Sequence, residues 1–286
     1  MWTSSWGALK AALEAFVTDD VLTLAASLSF YTLLSFAPIL ALAIWLASLA
    51  GIDAQDSLLS QIGAIAGKEA RDAAGAVIAS GKGHPDFGSL AGALGILTLL
   101  IGATAVFAQL QSSLNSVFHV VSKPTNAVWD WLRRRILSAG VLLASGFVLI
   151  VSLLMNALLD WGLGSTGLEL DVLNEAIAVA VFAGLFGTLF RYLPDARIPW
   201  RSAFAGGLTT SILFVLGKWL IGFYIARGDV GGAYGAAGSF VVLLVWSYYS
   251  AAIFFFGAEL TKAWLDVRGV AIPPARYAEL APPRGG

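Results

Sequence analysis

The sequence contains no cysteine. That removes disulfide bonds, thiol nucleophiles and cysteine-ligated zinc, though it fixes no compartment. Charge is nearly as scarce. Asp, Glu, Lys and Arg supply 12% of the 286 residues, about half the share found in a soluble domain. Such a chain cannot cover itself with polar side chains. The net charge of −1 leaves no electrostatic footprint for nucleic acid. What is plentiful is apolar: 58% of residues are hydrophobic. The apolar runs are long rather than alternating, which indicates a helical membrane protein and not a β-barrel. The N-terminus is not basic and the first apolar run exceeds a signal h-region, so that run reads as a retained membrane helix.

Six apolar segments can each cross about 30 Å of hydrocarbon at about 1.5 Å per residue. They fall near 23–50, 88–108, 136–158, 174–193, 202–226 and 233–258. The expected fold is all-α and polytopic. Residues 1–22 form a cytoplasmic N-terminal segment, 23–265 a six-helix transmembrane domain and 266–286 a disordered cytoplasmic tail rich in Pro, Arg and Gly. The 51–87 connection spaces Leu58, Ile62, Ile65, Ala73 and Val77 as one or two amphipathic helices on the extracytoplasmic side.

Loop charge sets the orientation. With six spans, one side carries Lys10, Lys123, Arg133, Arg134, Arg135, Arg191, Arg197, Arg201, Lys262, Arg268, Arg276 and Arg284. The other carries only Lys68, Arg71, Lys82 and Arg227. Both termini are therefore expected in the cytoplasm.

Helices in lipid associate through close packing. Gly88, Gly92, Gly95, Leu99, Gly102, Val106 and Gln109 recur every three or four residues as one seam. Ala180, Gly184, Gly187 and Arg191 repeat the pattern in the fourth span. These seams read as static packing or as sliding surfaces. Pro38 removes a backbone donor and crowds the carbonyl of Leu34, so the first span should kink there, as a hinge or a static bend.

Candidate site residues are few. Lys218 lies within the fifth span. It either snorkels to the outer interface or faces a cavity, with Asp229 as partner and Arg227 strengthening an anion site. Glu259 stands at the inner end of the sixth span, where it is solvated at the interface or pairs with Lys262, or else pairs with Arg191 or Arg201 and holds the cytoplasmic ends together. Asn115 follows Gln109 and Gln111 in a polar stretch. Trp246 and Tyr249 lie too deep for an interfacial belt, so they line a cavity or fill the core. No metal site or cofactor motif is present: acids are scattered, His84 and His119 are expected on opposite faces of the membrane, and the glycines of "GDVGGAYGAAG" lack a βαβ unit.

Several ordered stretches carry a family resemblance. They are "AASLSFYTLLSFAPIL" (25–40), "SLNSVF" (113–118), "LRRRIL" (132–137), "RYLPDARIPWRSAFAGG" (191–207) and "AYGAAGSFVVLLVWSYYSAAIFFFGAEL" (233–260). Together they resemble the YihY/virulence factor BrkB family of bacterial inner-membrane proteins. The resemblance implies six helices and a cytoplasmic-membrane location. It brings no catalytic motif: relatives carry a ribonuclease label, a virulence label or a link to envelope-lipid export. The leading expectation is movement of an anionic, lipid-like amphiphile, with membrane lipids as partners and a homo-oligomer left open. A non-transporting scaffold is the rival, and an enzyme the third reading.

Overall fold

A computed structural model describes residues 2–49, 105–123, 168–228 and 238–282, with short helical pieces between 56 and 75. The helices are α1 (Trp2–Thr18), α2 (Val21–Leu49), α3 (residues 105–117), α4 (Leu168–Tyr192), α5 (Trp200–Gly228) and α6 (Gly238–Val267). Two three-residue strands, β1 (Val120–Ser122) and β2 (Ala278–Leu280), complete the described elements.

The apolar segments read near 23–50, 174–193, 202–226 and 233–258 overlap α2, α4, α5 and α6. Those near 88–108 and 136–158 lie almost wholly outside the described residues. Among the described residues, Glu175–Tyr192 and Phe240–Val267 are long and apolar enough to cross a membrane. Helix α2 continues through Pro38 to Leu49; the side chains around Pro38 lie outside the described residues. In the 51–87 connection, residues 56, 59–60, 63, 71–72 and 74–75 are helical. The stem of Arg71 packs near Gly63, and Ala74 is fully buried.

Helix ends are closed by local chemistry. Asp20 adopts a left-handed φ of 52° after α1, and His119 one of 51° after α3. Short polar residues tolerate that region best, and each turn redirects the chain within two residues. Helix α6 ends on Gly269, with φ 66°. The N–H of Val270 reaches the carbonyl of Leu265 at 3.0 Å, and that of Gly269 the carbonyl of Asp266 at 2.9 Å. This paired pattern satisfies the last carbonyls of the helix.

The chain forms two compact units. The first comprises 1–22, 111–215 and 253–286; the second comprises 23–110 and 216–252. In the first unit, Phe182, Phe186, Phe190, Phe214, Phe254 and Phe255 form a run of ring contacts with centroids 5.0 to 5.9 Å apart. Phe190 and Phe255, which both meet Phe254, are fully buried. In the second unit, Val242 and Leu243 are buried on α6.

The tail departs from the sequence reading. Residues 266–286 are expected to be disordered, yet α6 runs to Val267 and residues 270–282 are strapped down by backbone hydrogen bonds. Strand β2 pairs antiparallel with β1, in the register Val120↔Leu280, Val121↔Glu279 and Ser122↔Ala278. Lys123 N–H donates to Tyr277 O at 2.7 Å and Ala281 N–H to His119 O at 2.9 Å, framing the pair. Further back, Arg197 N–H donates to Pro273 O, and Ala275 N–H to Asp195 O. Proline-rich composition hides this because the tail has little apolar surface to signal burial. It is held by its peptide groups, which composition does not report.

Candidate functional site

Two buried aspartates organise the first unit, and they are satisfied in opposite ways. Asp195, in the link between α4 and α5, is 3% exposed. Its carboxylate accepts hydrogen bonds from Gln111 Nε2 (3.3 Å), Asn115 Nδ2 (3.0 Å) and Ser122 Oγ (2.5 Å). Gln111 and Asn115 are four residues apart, so α3 presents both on one face. The amide of Asn115 is used at both ends, since its Oδ1 accepts the backbone N–H of Asp195 at 2.7 Å. Neutral donors meet this carboxylate from α3 and β1, while the tail binds its backbone carbonyl. It is a staple that ties α3, the α4–α5 link, β1 and the tail together.

Asp19, in the turn between α1 and α2, is also 3% exposed, but its surroundings are ionic. His119 Nε2 lies 3.1 Å from Oδ1 and 2.9 Å from Oδ2. Lys262 Nζ, from α6, lies 3.4 Å from Oδ2. The same ammonium is 3.9 Å from Glu259 Oε2, one turn earlier on α6. Burial alone would raise the Asp19 carboxyl. The Lys262 ammonium, the His119 imidazole and a hydrogen bond involving Glu259 together outweigh it and hold Asp19 below its ordinary value.

Small residues bring the helices close enough for these contacts. The backbones of α4 and α5 touch at Gly187 and Gly207: a Cβ on Gly207 would stand 2.5 Å from the Ala183 carbonyl. Helices α5 and α6 meet through a reciprocal pair. A Cβ on Gly206 would overlap the Thr261 hydroxyl, and one on Gly257 would overlap the Thr210 hydroxyl. Each threonine donates back to the glycine carbonyl four residues before it, Thr210 to Gly206 and Thr261 to Gly257, both at 2.7 Å. The hydroxyls are thus satisfied within their own helices while their sides fill the facing gaps. Of the glycines expected in the fourth-span seam, Gly187 makes a close approach and Gly184 has nothing within 4 Å. The seam from Gly88 to Gly102 lies outside the described residues.

The expected site residues are dispersed. Asn115 is buried on Asp195. Glu259 is fully buried, and the salt bridge it forms is with Lys262. Arg191, considered as its alternative partner, instead donates to the carbonyl of Ile198. Arg201 is exposed. Trp246 and Tyr249 belong to the second unit and are half-buried. The side chains of Lys218 and Arg227, and Asp229 altogether, lie outside the described residues, so the outer anion site does too.

Sequence reasoning missed Asp19, His119 and Asp195. The doubled acid "TDD" immediately before the first apolar run was the available signal for Asp19. Nothing local joins it to His119 or Lys262, which are 100 and 243 residues away in sequence.

Comparison with known proteins fixes the family. The family described as virulence factor BrkB matches residues 12–277. A UPF0761 membrane protein of Alkalilimnicola ehrlichii is 29% identical over 268 residues, covering 87% of this chain and 56% of its own length. One of Pseudomonas paraeruginosa is 31% identical over 172 residues, 58% of this chain and 41% of the relative. One of Cronobacter sakazakii is 28% identical over 177 residues, 62% of this chain and 60% of the relative. The chain thus spans about half the length of the curated relatives it matches. No solved structure matches. With a family match over nearly its whole length and long apolar helices at the matched positions, the chain is a helical membrane protein belonging to the virulence factor BrkB family.

Proposed function

We propose that the chain moves an anionic, lipid-like amphiphile across or out of a bacterial inner membrane. It does so as a six-span protein with both termini in the cytoplasm, and it performs no chemistry on the cargo. The observation that carries this reading is a rim of arginines in the first unit. Arg197, Arg201, Arg268 and Arg276 are all exposed, on the α4–α5 link, the first turn of α5, the end of α6 and the strapped tail. Among the described residues, Arg197, Arg201 and Arg276 form no salt bridge. Next to this rim, Tyr192 meets Trp200 edge to face and Trp200 meets Phe204 at a tilt, with centroids 5.6 and 5.9 Å apart. Exposed Phe204, Leu208 and Ile212 continue from them along one face of α5. Aromatic rings beside cations, followed by an apolar stripe, are the pattern of a lipid interface. Each basic residue there attracts anionic headgroups by about 1 kcal/mol. Lys218 and Arg227, with Asp229 adjacent, are assigned to a second anion site toward the outer leaflet. Asn115, Glu259, Trp246 and Tyr249 are proposed as further substrate-binding residues.

The rival is a scaffold that recruits partners and transports nothing. The specific observation favouring it is the β1–β2 pair, which leaves Val121 exposed on one face and Leu280 exposed on the other.

The test is the lipid that the protein retains. Mass spectrometry of lipid co-purified in mild detergent should show anionic species enriched over the source membrane. Arg197→Gln, Arg201→Gln and Arg276→Gln combined should remove that enrichment. Retained lipid identical in composition to the membrane would favour the scaffold.

A further inference from the structure

The cluster around Asp19 sets His119 between an acceptor and a donor. His119 Nε2 sits 2.9 Å from Asp19 Oδ2, to which it donates when it carries a proton and Asp19 is ionised. The Lys262 ammonium, which can only donate, sits 3.1 Å from Nε2 and 3.4 Å from Nδ1. With a proton on Nε2 alone, the ring donates to Asp19 and leaves Nδ1 to accept from Lys262. With both nitrogens protonated, the ring still donates to Asp19 but can no longer accept from Lys262.

Proton occupancy of His119 therefore decides whether the ring holds α6 through Lys262 as well as the α1–α2 turn through Asp19. The charge count points the same way. Two carboxyl groups, Asp19 and Glu259, share one ammonium, and both are at most 3% exposed. The His119 side chain is half exposed, so water reaches the ring while the carboxyls behind it stay dry. Of the other charged groups on the adjoining elements, Glu14 pairs with Lys10 on α1 and Glu279 of β2 with Lys123 after β1, while Asp20 of the same turn, Asp266 and Arg268 at the end of α6 and Arg276 of the tail are exposed. The main chain at His119 is fixed from the tail side by Ala281.

We propose that Asp19, His119, Glu259 and Lys262 form a proton-binding site, and that its occupancy couples a proton gradient to the movement of the amphiphile. A proton entering from solvent is taken up on His119 Nδ1, which ends its acceptance from Lys262 and leaves Nε2–H on the Asp19 carboxylate. Its loss returns Lys262 to the ring. Since α6 carries Lys262 and the α1–α2 turn carries Asp19, the two states load these elements differently. The coupling role rests on the transport reading; proton binding does not.

The experiment uses full-length protein carrying His84→Gln, so that His119 is the one histidine, in nanodiscs of phosphatidylethanolamine and phosphatidylglycerol. The imidazole ¹⁵N signals are followed from pH 8 to pH 5, the range in which histidine changes charge. Asp19→Asn should move the titration midpoint to lower pH and Lys262→Met should move it to higher pH. Because the two shifts have opposite signs, a misfolded variant on one side leaves the other readable. The same proteins in vesicles should move fluorescent phosphatidylglycerol faster under an imposed pH gradient, and Asp19→Asn should abolish the gradient dependence. Midpoints unmoved by both substitutions would overturn the site, whatever the transport result. Midpoints that move as expected, with no lipid movement in any vesicle, would uphold the site and sink the transport reading.

Discussion

Gly206 and Thr261 face each other across the contact of α5 with α6, and Gly257 and Thr210 repeat that contact with the roles of the helices exchanged. Neither glycine leaves room for a side chain. Gly206→Leu and Gly257→Leu should each destabilise the protein by about 1–3 kcal/mol, because overpacking must push the helices apart. Thr210→Ser and Thr261→Ser keep the hydroxyl and should cost less. Thermal unfolding in detergent, followed by tryptophan fluorescence, checks this. Leucine variants that melt with wild type would remove the crossing from the account.

The Asp195 staple makes a second prediction. Asn115→Leu removes one donor from the buried carboxylate and strands the Asp195 backbone N–H. Each loss is worth about 1–3 kcal/mol when the group stays buried. The variant should therefore be markedly destabilised, and more so than Gln111→Leu, which removes a single hydrogen bond of 3.3 Å. Limited proteolysis should also cut the 270–282 tail faster in Asn115→Leu, since the tail hangs on the same link through Ala275. Equal stability of the two leucine variants would contradict the staple.

Asp19 predicts a pH dependence with a definite sign. Its carboxyl is held below the ordinary 3.8, so its stabilising contribution is complete above that value. The contribution is lost as pH falls through the lower, folded-state value. The difference in melting temperature between wild type and Asp19→Asn should be largest at neutral pH and should shrink below about pH 4. A difference constant from pH 7 to pH 3 would show that Asp19 is not held by its charged partners.

Four of the apolar segments read in the sequence overlap α2, α4, α5 and α6, because the bilayer demands long apolar runs. The starts of α2 and α5 fall within two residues of the expected ones. The end of α6 was placed nine residues short of Val267, because Glu259 and Lys262 look like an interface. They remain helical because each finds a partner. Asn115 and Glu259 were visible as polar residues at apolar ends. Their roles were not, since hydrogen bonds to Asp195 and Asp19 join residues about 80 or more apart, a relation that no local pattern encodes. The tail was missed because main-chain pairing, rather than side-chain burial, holds it.

Orientation is testable because the chain has no native cysteine. Single cysteines at Arg197, Arg276 and Glu279, all exposed, should be protected from an impermeant thiol reagent in intact cells and labelled after permeabilisation. Cysteines at Ser57, Thr166 and Gly231 should label from outside. The reverse pattern would invert the topology.

The central claim is movement of an anionic amphiphile, and it is tested most directly by flux. Purified protein is reconstituted in liposomes containing trace fluorescent phosphatidylglycerol or phosphatidylcholine, and a membrane-impermeant quencher reports the fraction of label in the outer leaflet over time. The account predicts faster redistribution of phosphatidylglycerol than of phosphatidylcholine, and a loss of that advantage in Lys218→Met combined with Arg227→Gln. Redistribution no faster than in protein-free vesicles, for both lipids and with a pH gradient imposed, would contradict it.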